Sequence, residues 1–121
     1  MKPNKRLKKS TYIDIVITDL DGTLLDSNET VKNDDLHILH QLQKQGITTV
    51  IATGRSFFSV KKVLPLDFPL DYLIFSCGAG IMNWKTKKII FSSQLDSHQV
   101  KEIGEKLISL KDFWSILLLA F

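Results

Sequence analysis

Residues 13–27 read IDIVITDLDGTLLDS, and the fold is decided there. Ile15, Val16 and Ile17 make a short run of β-branched side chains, the composition of a buried strand. The run stops at Asp19-Leu20-Asp21-Gly22-Thr23, so two carboxylates stand two positions apart where the strand ends. In open α/β sheets ligands bind outside the carboxyl ends of the strands, so burial that gives way abruptly to charge is the layout expected of a site. Gly22 permits a backbone turn that a Cβ would oppose. Spacing alone is equally compatible with two ordinary loop acids, because acidic residues are common in turns.

Outward from that stretch the chain alternates. Ser27, Asn28 and Thr30 supply turn chemistry, and Asn33 is expected to cap a helix over 34–45. Leu36, Leu39 and Leu42 share one face of it, with acids at its start and Lys44 near its end to suit the helix dipole. Gly46 stands where a left-handed residue closes a helix. A second apolar strand follows over 47–52. Strand, helix, strand is a βαβ unit with a right-handed crossover, so Asp19 and Thr53 are expected at the same rim of the sheet. Residues 56–64 read as a second helix broken by Pro65 and Pro69, and residues 70–75 as a third, parallel strand.

From residue 77 the style changes. Residues 77–80 predict a tight bend, and strands near 81–82 and 89–91 a small hairpin around a polar turn. Ser97 is expected to cap a helix running to about residue 110, with Val100, Ile103, Leu107 and Leu110 on its apolar side. Residues 113–121 read as a further strand. His37 and His40 lie three apart on the first helix, but no carboxylate or third ligand is in register, so a shared metal is not expected there.

The string DLDGTLLDS resembles the first motif of the haloacid dehalogenase superfamily of phosphotransferases, an apolar strand followed by D-x-D-G-T. Gly46, the apolar run after it and Ala52-Thr53-Gly54-Arg55 resemble the second motif, in the form found in Cof-like phosphatases. Cys77-Gly78-Ala79-Gly80-Ile81 is similar to the N-G-A-x-I turn of the same subgroup. The likeness runs from about residue 12 to 96. It implies an α/β fold: the N-terminal part of a Rossmann-like parallel sheet over 12–82, then a hairpin and the start of an α+β cap over 83–121, behind a flexible basic tail over 1–11.

The resemblance also implies chemistry. Asp19 would be the nucleophile and a metal ligand. Asp21 would protonate the leaving group, later activate water, and bind the metal through its backbone carbonyl. Thr53 would hold a phosphate oxygen, Gly54 would let backbone donors approach, and Arg55 would lie on the substrate side. From the residues alone, Thr53 could equally be a strand-end cap and Arg55 a surface cation. The implied cofactor is Mg²⁺, and the implied substrate a small phosphorylated metabolite such as a sugar phosphate. Mg²⁺ suits the task because it accepts one or two carboxylates plus substrate phosphate.

Two expected elements are missing. The superfamily's catalytic lysine and its second acidic pair, often G-D-x-x-x-D, normally lie after the cap, and no G-D-x-x-x-D occurs in the 121 residues. Lys85, Lys87 and Lys88 sit in a polar turn and are poor substitutes. Cys77 replaces the usual Asn and is expected to be a small buried residue. The chain therefore reads as the front part of a longer enzyme with little or no turnover alone. Lacking the strands that flank the first strand in the superfamily, it would expose that strand's edge, which invites self-association.

Composition bounds the rest. The net charge of +3 is concentrated in the tail: five of the 16 basic residues fall in the first nine positions, leaving 11 against 13 acids. A short basic run without interleaved aromatics does not read as a nucleic-acid site. A single cysteine excludes an internal disulfide, and the apolar run over 113–121 is too short to cross a bilayer, so a cytoplasmic, non-membrane setting is expected. The alternative function is a non-catalytic phosphoacceptor akin to a receiver domain. Receivers, however, carry their acid at the end of a middle strand, where this chain has Ala52-Thr53-Gly54.

Overall fold

The computed structural model describes residues 12–110; the basic tail and the strand expected over 113–121 lie outside the described residues. The element order is β1 (Ile15–Asp19), α1 (Asn33–Lys44), β2 (Thr48–Ala52), α2 (Phe57–Val63), β3 (Tyr72–Phe75), β4 (Gly80–Asn83), β5 (Lys88–Ser92) and α3 (Ser97–Ser109). The strands form one sheet in the order β1-β2-β3-β4-β5. β1, β2 and β3 run parallel, as expected of βαβ crossovers, and the β4–β5 hairpin continues the sheet antiparallel. The fold is α/β, with the parallel pairs preceding the antiparallel ones along the chain.

The core forms on one face of this sheet. Ile51, Leu73 and Met82 are cross-strand neighbours and pack with Leu39 of α1 and with Val60 and Leu64, at the end of α2. Trp84, 1% exposed, closes the cluster, and the Phe57 ring meets it edge-on at 6.4 Å. The opposite face carries Ile15 and Ile17, 51% and 58% exposed, and Phe91 at 50%. β1 hydrogen-bonds only to β2 among the described residues, so it is an edge strand, as the sequence led one to expect.

Several local expectations need correction. The N-cap of α1 is Lys32, not Asn33, because Val31 bridges Leu25 and keeps the backbone extended one residue longer. α3 is capped by Asp96, not Ser97: its carboxylate accepts from Gln99 N–H at 2.8 Å while the Gln99 side chain accepts from Asp96 N–H at 3.0 Å. This reciprocal pair satisfies two orphan donors, which one hydroxyl could not do. β3 starts at Tyr72; Phe68 and Leu70 are buried in the turn before it. Cys77 is exposed rather than buried, because it lies in a tight turn in which Ser76, Cys77 and Gly78 all adopt positive φ (49°, 54° and 92°). The apolar side of α3 is uncovered among the described residues, with Val100 42% and Ile103 43% exposed.

Candidate functional site

Register brings the motifs together. Asp19 pairs with Ala52, and Ala52 with Ile74, so Asp19 and Thr53 leave the sheet at one rim. Within D-L-D, Leu20 is fully buried while Asp19 and Asp21 remain exposed, so the leucine anchors the loop and both acids stay outside. Leu24 and Leu25, also buried, return their N–H groups to Leu20 O at 3.1 and 2.8 Å and tie the loop down. Gly22 takes φ +70°, the left-handed conformation that the turn requires. Asp19 Oδ1 accepts from Leu20 N–H at 2.7 Å, which fixes that carboxylate at the strand tip.

The second and third motifs form adjoining loops. Thr53 is 6% exposed, and its hydroxyl oxygen accepts from Arg55 N–H at 3.1 Å, leaving the hydroxyl proton to donate elsewhere. Ser76 N–H donates to Arg55 O at 2.9 Å and Cys77 N–H to Thr53 O at 3.2 Å. The approach is close because Gly54 has no side chain: a Cβ there would meet the Cys77 sulfur at 3.3 Å.

Arg55 crosses from the second loop to the first. Its Nε lies 3.0 and 2.9 Å from the two carboxylate oxygens of Asp21, and its Nη2 lies 2.6 Å from Oδ1. The same Nη2 is 2.6 Å from Glu29 Oε1. Hydrogen bonds from Arg55 hold the Asp21 carboxyl below the usual carboxylate range, and the two acids in turn push the guanidinium pKa up. Glu29 was invisible in the sequence, where it is one polar residue in a turn; no spacing rule links positions 29 and 55.

Lys85, Lys87 and Lys88 are on the far side. Asn83 pairs with Tyr72 and Lys88, at the sheet end opposite Asp19. Lys85 binds Asp71 at 2.6 Å, while Lys87 donates to Leu66 O at 2.8 Å over the Trp84 ring. None of the three reaches the rim where the motifs meet. His37 is engaged by the Gln41 amide at 2.9 Å. Among the described residues no group of three or more His, Cys, Asp or Glu side chains is placed to enclose a metal ion.

Comparison with known proteins gives a consistent picture. A family model described as haloacid dehalogenase-like hydrolase matches residues 16–119. Phosphatase YwpJ of Bacillus subtilis is 41% identical over 103 residues, covering 84% of this chain and 35% of that protein. The 5-amino-6-(5-phospho-D-ribitylamino)uracil phosphatase YwtE of the same organism is 27% identical over 101 residues, 84% of this chain and 34% of that protein. A haloacid dehalogenase-like hydrolase structure from B. subtilis superposes with a TM-score of 0.70 at 30% identity, over 82% of this chain and 34% of that one. The chain thus spans about a third of the length of the curated relatives it matches. No helix among the described residues is long and apolar enough to cross a membrane.

Proposed function

Because the chain belongs to the haloacid dehalogenase-like hydrolase family, we propose that its Asp19–Thr53 rim is the phosphoryl-transfer site of a phosphatase acting on a small phosphorylated metabolite, a sugar phosphate or similar. The observation that carries this reading is the register of Asp19 with Ala52, which sets the D-x-D-G-T loop beside Thr53-Gly54-Arg55.

The Asp19 carboxylate attacks phosphorus, the bond to the leaving oxygen breaks, and Asp21 gives that oxygen its proton. Water then attacks the aspartyl-phosphate, surrendering its proton to Asp21, and the Asp19–phosphorus bond breaks to release phosphate. Thr53 donates its hydroxyl proton to a phosphate oxygen. Arg55 holds Asp21 ionised in the structure, so Asp21 takes up its proton only once an anionic substrate competes for the guanidinium.

An anionic nucleophile and an anionic ester repel by about 4 kcal/mol at 4 Å and an effective dielectric of 20. Mg²⁺, when bound, supplies the charge that offsets this repulsion. Asp19 would hold it through its exposed carboxylate and Asp21 through the backbone carbonyl, since the Asp21 carboxylate is engaged by Arg55. Two protein oxygens fit an ion that retains several waters and takes the rest from substrate. With no lysine at this rim among the described residues and no G-D-x-x-x-D string in the sequence, the chain by itself turns over little. The segment from residue 83 onward leads into a cap that selects the substrate, the setting is cytoplasmic, and the β1 edge pairs with a second copy.

Incubation with acetyl phosphate and Mg²⁺, followed by mass mapping, tests the assignment. A hydroxylamine-sensitive adduct on Asp19 that disappears in Asp19→Asn is expected. No adduct after prolonged incubation, or one on another residue, would overturn it.

A further inference from the structure

Glu29 occupies a conformation that needs a reason. Its φ is 57°, in the left-handed region that side-chain-bearing residues other than Asn and Asp rarely enter. Such strain persists only where the surroundings hold it, and it concentrates at functional positions. Here Asp26 does the holding. Its carboxylate accepts from Asn28 N–H at 2.8 Å, Thr30 N–H at 3.0 Å and the Thr30 hydroxyl, and its carbonyl accepts from Glu29 N–H at 3.0 Å. The outcome is that the Glu29 carboxylate meets Arg55 Nη2 at 2.6 Å, while the guanidinium's Nε edge is spent on Asp21.

We infer that Glu29 is a positioning residue: it anchors the Arg55 guanidinium from the loop side so that the cation stays clamped across Asp21 at the mouth of the site. The inference rests on the phosphatase reading for its purpose, but the clamp itself can be observed without turnover. One cation between two acids leaves the trio with a single negative charge, and an arriving phosphate is a third claimant on the same guanidinium. Glu29 holds the nitrogen that would otherwise swing free when Asp21 lets go. Arg55 then stays at the rim through the reaction rather than rotating into solvent.

Two arginines occur in the whole chain, Arg6 and Arg55, so their side-chain Nε–H signals are readily resolved in an arginine-labelled sample. Arg6→Lys assigns them. The Arg55 Nε–H is expected to be as ordered as rigid backbone in the wild type, with an order parameter of about 0.85, to stay above about 0.6 in Asp21→Ala, where Glu29 still holds the guanidinium, and to fall below about 0.6 when Glu29→Ala is added to Asp21→Ala. Glu29→Gln, which keeps an acceptor at the same reach, is expected to retain most of the order. An Arg55 signal already mobile in the wild type or in Asp21→Ala, unchanged when Glu29→Ala is added to Asp21→Ala, or lost only together with amide dispersion throughout the domain would overturn the inference.

The rate of Asp19 labelling supplies a second readout. Removing a negative charge near an anion site speeds phosphate transfer if charge alone matters. Loss of positioning slows it about fivefold, the worth of one exposed ion pair; an equal or faster rate in Glu29→Ala contradicts the inference. A wild-type chain that never labels defeats the phosphatase reading and leaves the clamp to be judged by Arg55 order alone.

Discussion

The guanidinium of Arg55 closes on both carboxylate oxygens of Asp21 from 34 positions along the chain, with Nε at 3.0 and 2.9 Å. Arg55 is only 19% exposed at its side chain, whereas Asp21 is 50% exposed, so the cation is the better-fixed partner. A planar fork matches a carboxylate in two bonds, which a lysine ammonium on a flexible stem cannot reproduce. Arg55→Lys should therefore slow Asp19 labelling by about tenfold, and chemical denaturation should show a stability change below about 1 kcal/mol, since exposed pairs contribute little.

Cys77 holds φ 54° and ψ 32°, a left-handed conformation in which Asn is enriched several-fold over other non-glycine residues. Cys77→Asn should stabilise the domain by roughly 0.5 kcal/mol through relief of that strain. A urea midpoint that moves down instead would mean that the sulfur's packing over Gly54 outweighs the backbone preference.

Asp71 ties the opposite end of the sheet. Its carboxylate accepts from Thr49 N–H at 2.8 Å and the Thr49 hydroxyl at 3.2 Å, and pairs with Lys85 at 2.6 Å. Burial raises its pKa, but the bonds from Lys85 and Thr49 outweigh burial and leave it lowered. A depressed folded pKa means that this stability is present above the unfolded carboxylate value and is lost as pH falls through the folded one. Asp71→Ala should cost about 1–3 kcal/mol near neutrality, because it leaves the amide of buried Thr49 unpaired. The gap between the wild type and the variant should narrow as urea melts are taken toward pH 3.

Among the described residues β1 presents an unpaired edge together with exposed Ile15 and Ile17. Sedimentation at rising concentration should reveal association, and a single lysine at Ile17→Lys should suppress it, as charges do on natural edge strands. A wild-type chain that stays monomeric across that range removes the pairing from the proposal.

The candidate site was legible in the sequence wherever it is local. D-x-D-G-T and A-T-G-R are each a strand end with its turn, and the backbone needs at those turns are written in Gly22 and Gly54. One βαβ crossover then places Asp19 and Thr53 together, because the two strands it joins run parallel and end at the same rim. Capping was less legible: Asn33 and Ser97 are good caps by type, but Lys32 and Asp96 occupy the positions. The preceding chain's path and a side-chain exchange with Gln99 decided those helix starts.

The sequence by itself determined the alternation of strand and helix and the rim to which the motifs belong, because periodicity and turn chemistry act over a few residues, and by resemblance it named the candidate site residues. Only the tertiary structure decided that Arg55 holds Asp21 and Glu29, that Cys77 is exposed, and that the lysines after Trp84 serve the far end of the sheet. Those relationships join residues tens of positions apart through register and side-chain reach, and neither is carried by any short stretch of chain.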